Sequence, residues 1–104
     1  MPRLSFKMKL FPGYGEEYKK RHDQIWPELK ELLQKTGISN YSIFLNEENG
    51  DLFAVFDIDD PQKLDNLRQE EEMKRWWDGL VGIMETNPDK SPVALPLKQV
   101  FFLP

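Results

Sequence analysis

Residues Ile38–Leu45 read ISNYSIFL, residues Asn46–Asp51 read NEENGD, and residues Leu52–Ile58 read LFAVFDI. The outer runs are rich in aliphatic and aromatic residues, which suit a pleated, half-buried backbone. The polar stretch between them carries Asn49-Gly50, the strongest short-range signal for a hairpin. An antiparallel pair of strands in mid-chain is therefore the fixed point from which the rest is read.

Upstream, Arg3–Leu10 (RLSFKMKL) alternates polar and apolar, the period of a strand with one buried face. Pro12-Gly13 ends it. From Gly15 to Lys35 the spacing turns helical, through Tyr18, His22, Ile25, Trp26, Leu29, Leu32 and Leu33. Pro27 interrupts that span, since it has no N–H for an interior helical bond yet is well placed at the first position of a new helix. A break is expected at Asp23–Trp26, directly after His22, and Thr36-Gly37 closes the second segment. Downstream, Asp60-Pro61 is an N-cap followed by proline, opening a short helix with Leu64 and Leu67. Helical spacing continues through Met73, Trp76, Trp77, Leu80, Val81, Ile83 and Met84. Thr86–Pro92 reads as a loop and Leu95–Leu103 as a final strand.

The order strand, helix, strand, strand, helix, strand is the split βαβ pattern of a ferredoxin-like α+β fold, one domain over 1–104. Helices on one face leave the other in need of cover, and Phe6, Met8, Tyr41, Ile43, Phe53 and Val55 supply two apolar sheet faces. Packing sheet on sheet predicts a homodimer, a dimeric α+β barrel. Leu97–Leu103 is the segment to reach across, because Val100-Phe101-Phe102 is too apolar for an open edge.

With 104 residues the chain is large enough for a core. Its 14 basic and 18 acidic residues leave a net charge of -4, which argues against a nucleic-acid binder. Lys19, Lys20 and Arg21 are offset by Glu16, Glu17 and Asp23 and read as a solvated face. Cysteine is absent, which removes disulfides, thiolate nucleophiles and Cys-based zinc sites. No metal site is expected from a single histidine, and no P-loop or GxGxxG supplies a nucleotide. No apolar run reaches the ~18 residues of a membrane span. Met1-Pro2-Arg3 lacks a signal-peptide core, so the cytoplasm is the expected location.

His22 is the only histidine, and Tyr18 lies one helical turn before it on the same face. An imidazole titrating near pH ~6.5 exchanges protons at physiological pH, and a phenol beside it can orient a hydroxylated ligand. Trp76 and Trp77 point about 100° apart on a helix and cannot share one narrow buried stripe. One of them should line a pocket or an interface. Spacing alone leaves each residue a second role: a capping or surface histidine, a core-edge Tyr18, a strand-forming Tyr41, a core-and-interface tryptophan pair.

The joint order of Glu17-Tyr18 through Arg21-His22, Ile25-Trp26-Pro27-Glu28-Leu29, Asn40-Tyr41, Arg75-Trp76-Trp77, Asn87-Pro88-Asp89 and Ser91-Pro92 resembles the L-rhamnose mutarotase family. The likeness covers nearly the full chain. It implies a dimeric ferredoxin-like barrel and a cofactor-free isomerase that interconverts the α and β anomers of L-rhamnose. It also implies a proton-donor role for His22 and sugar contacts by Tyr18, Tyr41, Trp76 and Trp77. Where many members carry Glu before the terminal Val-Phe, this chain has Gln99, so any proton-transfer role of an acid there is missing. For a second acid or base the sequence offers Asp23, Glu28 and Asp89, or a water or the sugar's own hydroxyl, and does not choose. A ligand-binding module and a cofactor-free monooxygenase on the same barrel are the competing readings, since a fold does not fix a function.

Overall fold

The structure, a computed structural model, describes residues 2–104. Strands β1 (Arg3–Lys9), β2 (Ile38–Leu45), β3 (Asp51–Ile58) and β4 (Leu95–Leu97) form one sheet in the order β2-β3-β1-β4. Every neighbouring pair is antiparallel. Helices α1 (Gly15–Asp23) and α2 (Pro27–Lys35) connect β1 to β2, and α3 (Lys63–Leu67) and α4 (Glu71–Asp78) lie between β3 and β4. This is the ferredoxin-like α+β arrangement that the sequence order implies. Among the described residues no helix is long and apolar enough to cross a membrane.

Side chains alternate across a strand, so the register sorts them into two faces. Leu4, Phe6 and Met8 lie opposite Phe56, Ala54 and Leu52, and Ile43 and Leu45 lie opposite Ala54 and Leu52. All four helices pack on this face in two clusters. One joins Leu10, Tyr18, Leu52, Leu80, Ile83 and Met84; the other joins Ile38, Phe56, Ile58 and Leu67, with Leu32, Leu33 and Met73 against it. The opposite face carries Ser5, Lys7, Ser42, Phe44, Phe53, Val55, Leu95 and Leu97 and has no helix over it. Of the six residues expected to supply two apolar faces, Phe6, Met8, Tyr41 and Ile43 are under the helices and Phe53 and Val55 are not.

Proline and glycine act where the sequence puts them. Pro27 stands at the start of α2 after a break at Gln24–Trp26. Gly37 follows α2 at φ 93°, and a Cβ there would lie 2.2 Å from Asp59 Oδ1. Gly50 takes φ 80° where a Cβ would meet the Leu10 carbonyl at 2.5 Å, and its own carbonyl accepts from Leu10 N at 2.8 Å. Asn49 keeps an ordinary φ, so the hairpin turns through a longer loop in which Asn46 N bonds to Asp51 O, not through a two-residue turn. Asp60 Oδ1 accepts from Gln62 N and stabilises the turn before α3, which itself begins at Lys63.

Two expected elements end early. The helix through Trp76 and Trp77 stops at Asp78, and Gly79–Ile83 continues in turns. Leu80 N bonds to Trp77 O and Ile83 N to Leu80 O, three residues apart. Leu80, Ile83 and Met84 are still buried, so turns around Gly79 and Gly82 reproduce the apolar spacing of a helix. The last strand pairs only from Leu95 to Leu97, with Leu97 opposite Ser5. Continuing that register sets Gln99 against Arg3, where β1 itself ends, so the residues beyond have no strand to meet. Val100 and Leu103 are 87% and 78% exposed.

Candidate active site

A cleft of about 1070 Å³ opens between the helices and the β2–β3 end of the sheet. It is roomy even against the ~300–1,000 Å³ usual for small-molecule sites. Tyr18, His22, Tyr41, Ile43, Met73 and Trp76 are among its walls.

Helix α1 delivers two of these groups. It has Glu16 and Glu17 in its first turn and Lys20, Arg21 and His22 in its last, an order that complements the helix dipole. Ion pairs Lys19–Asp23 at 2.7 Å and Arg21–Glu17 at 3.0 Å run along its outer side. The Arg21 guanidinium also donates to the Gly79 carbonyl, tying the end of α1 to the end of α4. Tyr18 and His22 therefore face inward as neighbours, with ring centroids 4.3 Å apart.

His22 Nδ1 lies 2.9 Å from the Tyr18 carbonyl oxygen. A carbonyl only accepts, so the neutral imidazole carries its proton on Nδ1 and keeps a lone pair on Nε2. Burial holds the His22 pKa below its ordinary 6.5; the Tyr18 carbonyl and Asp23 pull it upward without overcoming burial. The resting group at neutral pH is a base with one free nitrogen.

Trp76 closes the wall beside it. Its ring meets His22 edge-on at 5.0 Å and Trp26 edge-on at 5.6 Å, with the Arg75 guanidinium 4.8 Å above Trp26. Such contacts fix ring orientation at about 0.5–1.5 kcal/mol each. Tyr41 enters from β2, stacked on Phe56 at 5.0 Å. Burial raises the Tyr18 pKa far above the phenol range, with the charge of Tyr41 adding to it. Tyr41 is raised by burial as well, although 44% of the residue's surface is accessible. Both phenols thus keep their protons and serve as hydrogen-bond donors.

The structure brings Tyr18, His22, Tyr41 and Trp76 to one cleft and leaves Trp77 out. Trp77 is buried on the adjacent side of α4 and lines neither this cleft nor the smaller hollow beyond Trp76. Of the three carboxylates, Asp23 reaches the cleft, already paired with Lys19. Glu28 is exposed on α2, and Asp89 accepts from Ser91 N and Ser91 Oγ in its own loop, which holds its pKa down. Gln99 is exposed and lines no part of the cleft. Trp26, which the sequence placed in the helical spacing just before Pro27 and gave no site role, proves to be the support behind Trp76.

What this cleft can do is move a proton between oxygen atoms of a small hydroxylated ring, which is the work of an isomerase. The model of the L-rhamnose mutarotase family matches residues 3–103, and the chain belongs to that family. An L-rhamnose mutarotase from Formosa agariphila is 50% identical over 103 residues, covering 99% of both chains. One from Lachnoclostridium phytofermentans is 48% identical over the same extent. The crystal structure of an L-rhamnose mutarotase from Formosa agariphila matches with a TM-score of 0.93 and 48% identity over 100% of both chains. An antibiotic biosynthesis monooxygenase, 16% identical with a TM-score of 0.52, shares the fold alone.

Proposed function

We propose that the protein interconverts the α and β anomers of L-rhamnose by opening and reclosing the pyranose ring beside His22. The observation that carries this reading is the state of that imidazole: Nδ1 committed to the Tyr18 carbonyl, Nε2 free, and burial favouring the neutral form. Ring opening requires only that a proton pass from the anomeric O1 to the ring O5. Nε2 takes the O1 proton, the O1 electrons form the C1=O1 bond, and the C1–O5 pair leaves on O5. The imidazolium then returns the proton to O5. Rotation about C1–C2 exposes the other face of the carbonyl, and the same steps in reverse close the other anomer. One imidazole acts as base and acid by turns, and a redox-neutral exchange of this kind calls for no cofactor.

Tyr18 and Tyr41 donate hydrogen bonds to the sugar oxygens without ionising. Trp76 offers its ring to the C–H side of the sugar, and Trp77 supports it from the core. We propose further that two copies pack through the helix-free sheet face, the unpaired segment after Leu97 reaching across, and that the enzyme works in the cytoplasm. Magnetisation transfer between the anomeric protons of L-rhamnose tests the activity directly. The purified protein should speed the exchange; exchange left at the spontaneous rate would sink the reading.

A further inference from the structure

Where they pair, strand β2 sets Ile38–Leu45 against Leu52–Ile58 and so carries one residue more over that stretch. Ile38 and Ser39 pair with Ile58 and Asp57, but Ser42 pairs with Val55, so Asn40 and Tyr41 together stand opposite Phe56 alone. In a regular strand, Ile38 and Tyr41 are three residues apart and point to opposite faces. Here both lie under the helices: Ile38 in the core cluster, Tyr41 stacked on Phe56 and lining the cleft. The extra residue is absorbed at Asn40, which takes φ 52°. Asparagine enters this left-handed region more readily than any residue with a branched or longer side chain.

The Asn40 side chain is not left over. Its amide donates to Asp57 Oδ2 at 3.0 Å on the helix-free face, and Asp57 Oδ1 accepts from Arg3 Nε at 2.9 Å. Arg3 in turn lies 5.2 Å above the Phe102 ring in the C-terminal segment. A glycine would satisfy the backbone alone; asparagine adds an anchor on the far side of the sheet.

We propose that Asn40 is the positioning residue that sets the Tyr41 hydroxyl in the sugar cleft, braced from the opposite face by Asp57 and Arg3. This rests on the mutarotase reading of the cleft for its substrate but not for its geometry. Asn40 touches no substrate and acts only through Tyr41.

The test is a cycle of Asn40→Ala, Tyr41→Phe and the double variant, with Asn40→Gly as the rescue, read as kcat and KM for L-rhamnose anomer exchange. Asn40→Ala should raise KM about tenfold, the scale of one misplaced hydrogen bond, with kcat changed less than about threefold. In the Tyr41→Phe background the same change should add less than about twofold, because the hydroxyl it positions is already gone. Asn40→Gly, free to keep the left-handed turn, should recover most of the loss. Asn40→Ser, which like alanine disfavours the left-handed turn, replaces the alanine variant if that one fails to fold. An unchanged KM, equal effects in both backgrounds, or no recovery with glycine overturns the proposal. A parent that does not catalyse exchange defeats the mutarotase reading instead. In that case the ring-proton shifts of Tyr41 decide: stacking on Phe56 should persist in Asn40→Gly and be lost in Asn40→Ala, and identical shifts in both overturn the assignment.

Discussion

Under the helices, the sheet carries Leu52, Ala54, Phe56 and Ile58, none more than 4% exposed. On the other side, neighbouring strands carry Phe44, Leu95 and Leu97 at 63%, 56% and 40%. The side chains are alike in kind, and cover alone separates them. On the covered face, exclusion of water does chemical as well as structural work: it lowers the His22 pKa and raises those of Tyr18 and Tyr41, favouring the neutral form of each. On the open face the titrating pair is Arg3 and Asp57, and there the hydrogen bond between them, not burial, sets the direction: it raises the Arg3 pKa and lowers that of Asp57. The lesson is that this sheet has its cleft where the helices leave a gap, while its bare face is the one on which we propose that a second copy packs.

The largest expected effect lies in that gap. Replacing His22 with Ala should reduce catalysed anomer exchange by about 10²–10⁴-fold while circular dichroism shows an unchanged fold. Exchange within twofold of the parent would remove the covered face's claim to the chemistry. Next comes packing: Ile58, 0% exposed, should cost about 2–5 kcal/mol in urea unfolding when replaced by Ala. Equal losses for Ile58→Ala and Phe44→Ala, measured below the concentration at which chains associate, would erase the distinction between the faces. Trp76→Ala should weaken L-rhamnose binding by about 1–3 kcal/mol, whereas Trp77→Ala should act on stability first. Smallest for a single chain are Phe44→Ser and Leu97→Ser, each within about 0.5 kcal/mol. Those two should nevertheless shift sedimentation from dimer toward monomer, and a parent that is monomeric at micromolar concentration contradicts the proposed assembly.

Acidity gives a further way to sharpen the contrast. The folded pKa of His22 lies below its unfolded value near 6.5, so the unfolded chain binds the proton more readily. Its contribution to stability is complete above pH 6.5 and is lost as pH falls through the folded pKa. Exchange should fall on the same acid limb, since the proton occupies Nε2, and a pH–rate profile with its midpoint at or above 6.5 would contradict the buried, neutral imidazole.

Much of this was legible in the chain. The hairpin, the break before Pro27, the stop at Gly37 and the shared face of Tyr18 and His22 all follow from local rules, and the structure has them. The failures lie where patterning does not give the backbone path. Leu80, Ile83 and Met84 are buried at helical spacing by turns, and Val100-Phe101-Phe102 looks like a strand but has run past the end of β1. The tryptophan pair divided as helix geometry requires, yet only the fold could say that Trp76 takes the cleft. Tyr41 is the plainest case: alternation counted from Ile43 puts it under the helices, alternation counted from Ile38 puts it on the other face, and the bulge that reconciles the two leaves no mark in periodicity.

The edge-on contact of Trp76 with His22, 5.0 Å between ring centroids, has an optical consequence. An imidazolium draws electron density from an excited indole and quenches its emission; a neutral imidazole does so far less. Trp76 should therefore dim as His22 takes up a proton, while Trp77, enclosed elsewhere in α4, and Trp26, which meets Trp76 and not His22, supply the background. The protein carries its own indicator dye, able to report the protonation state of His22 with no sugar present.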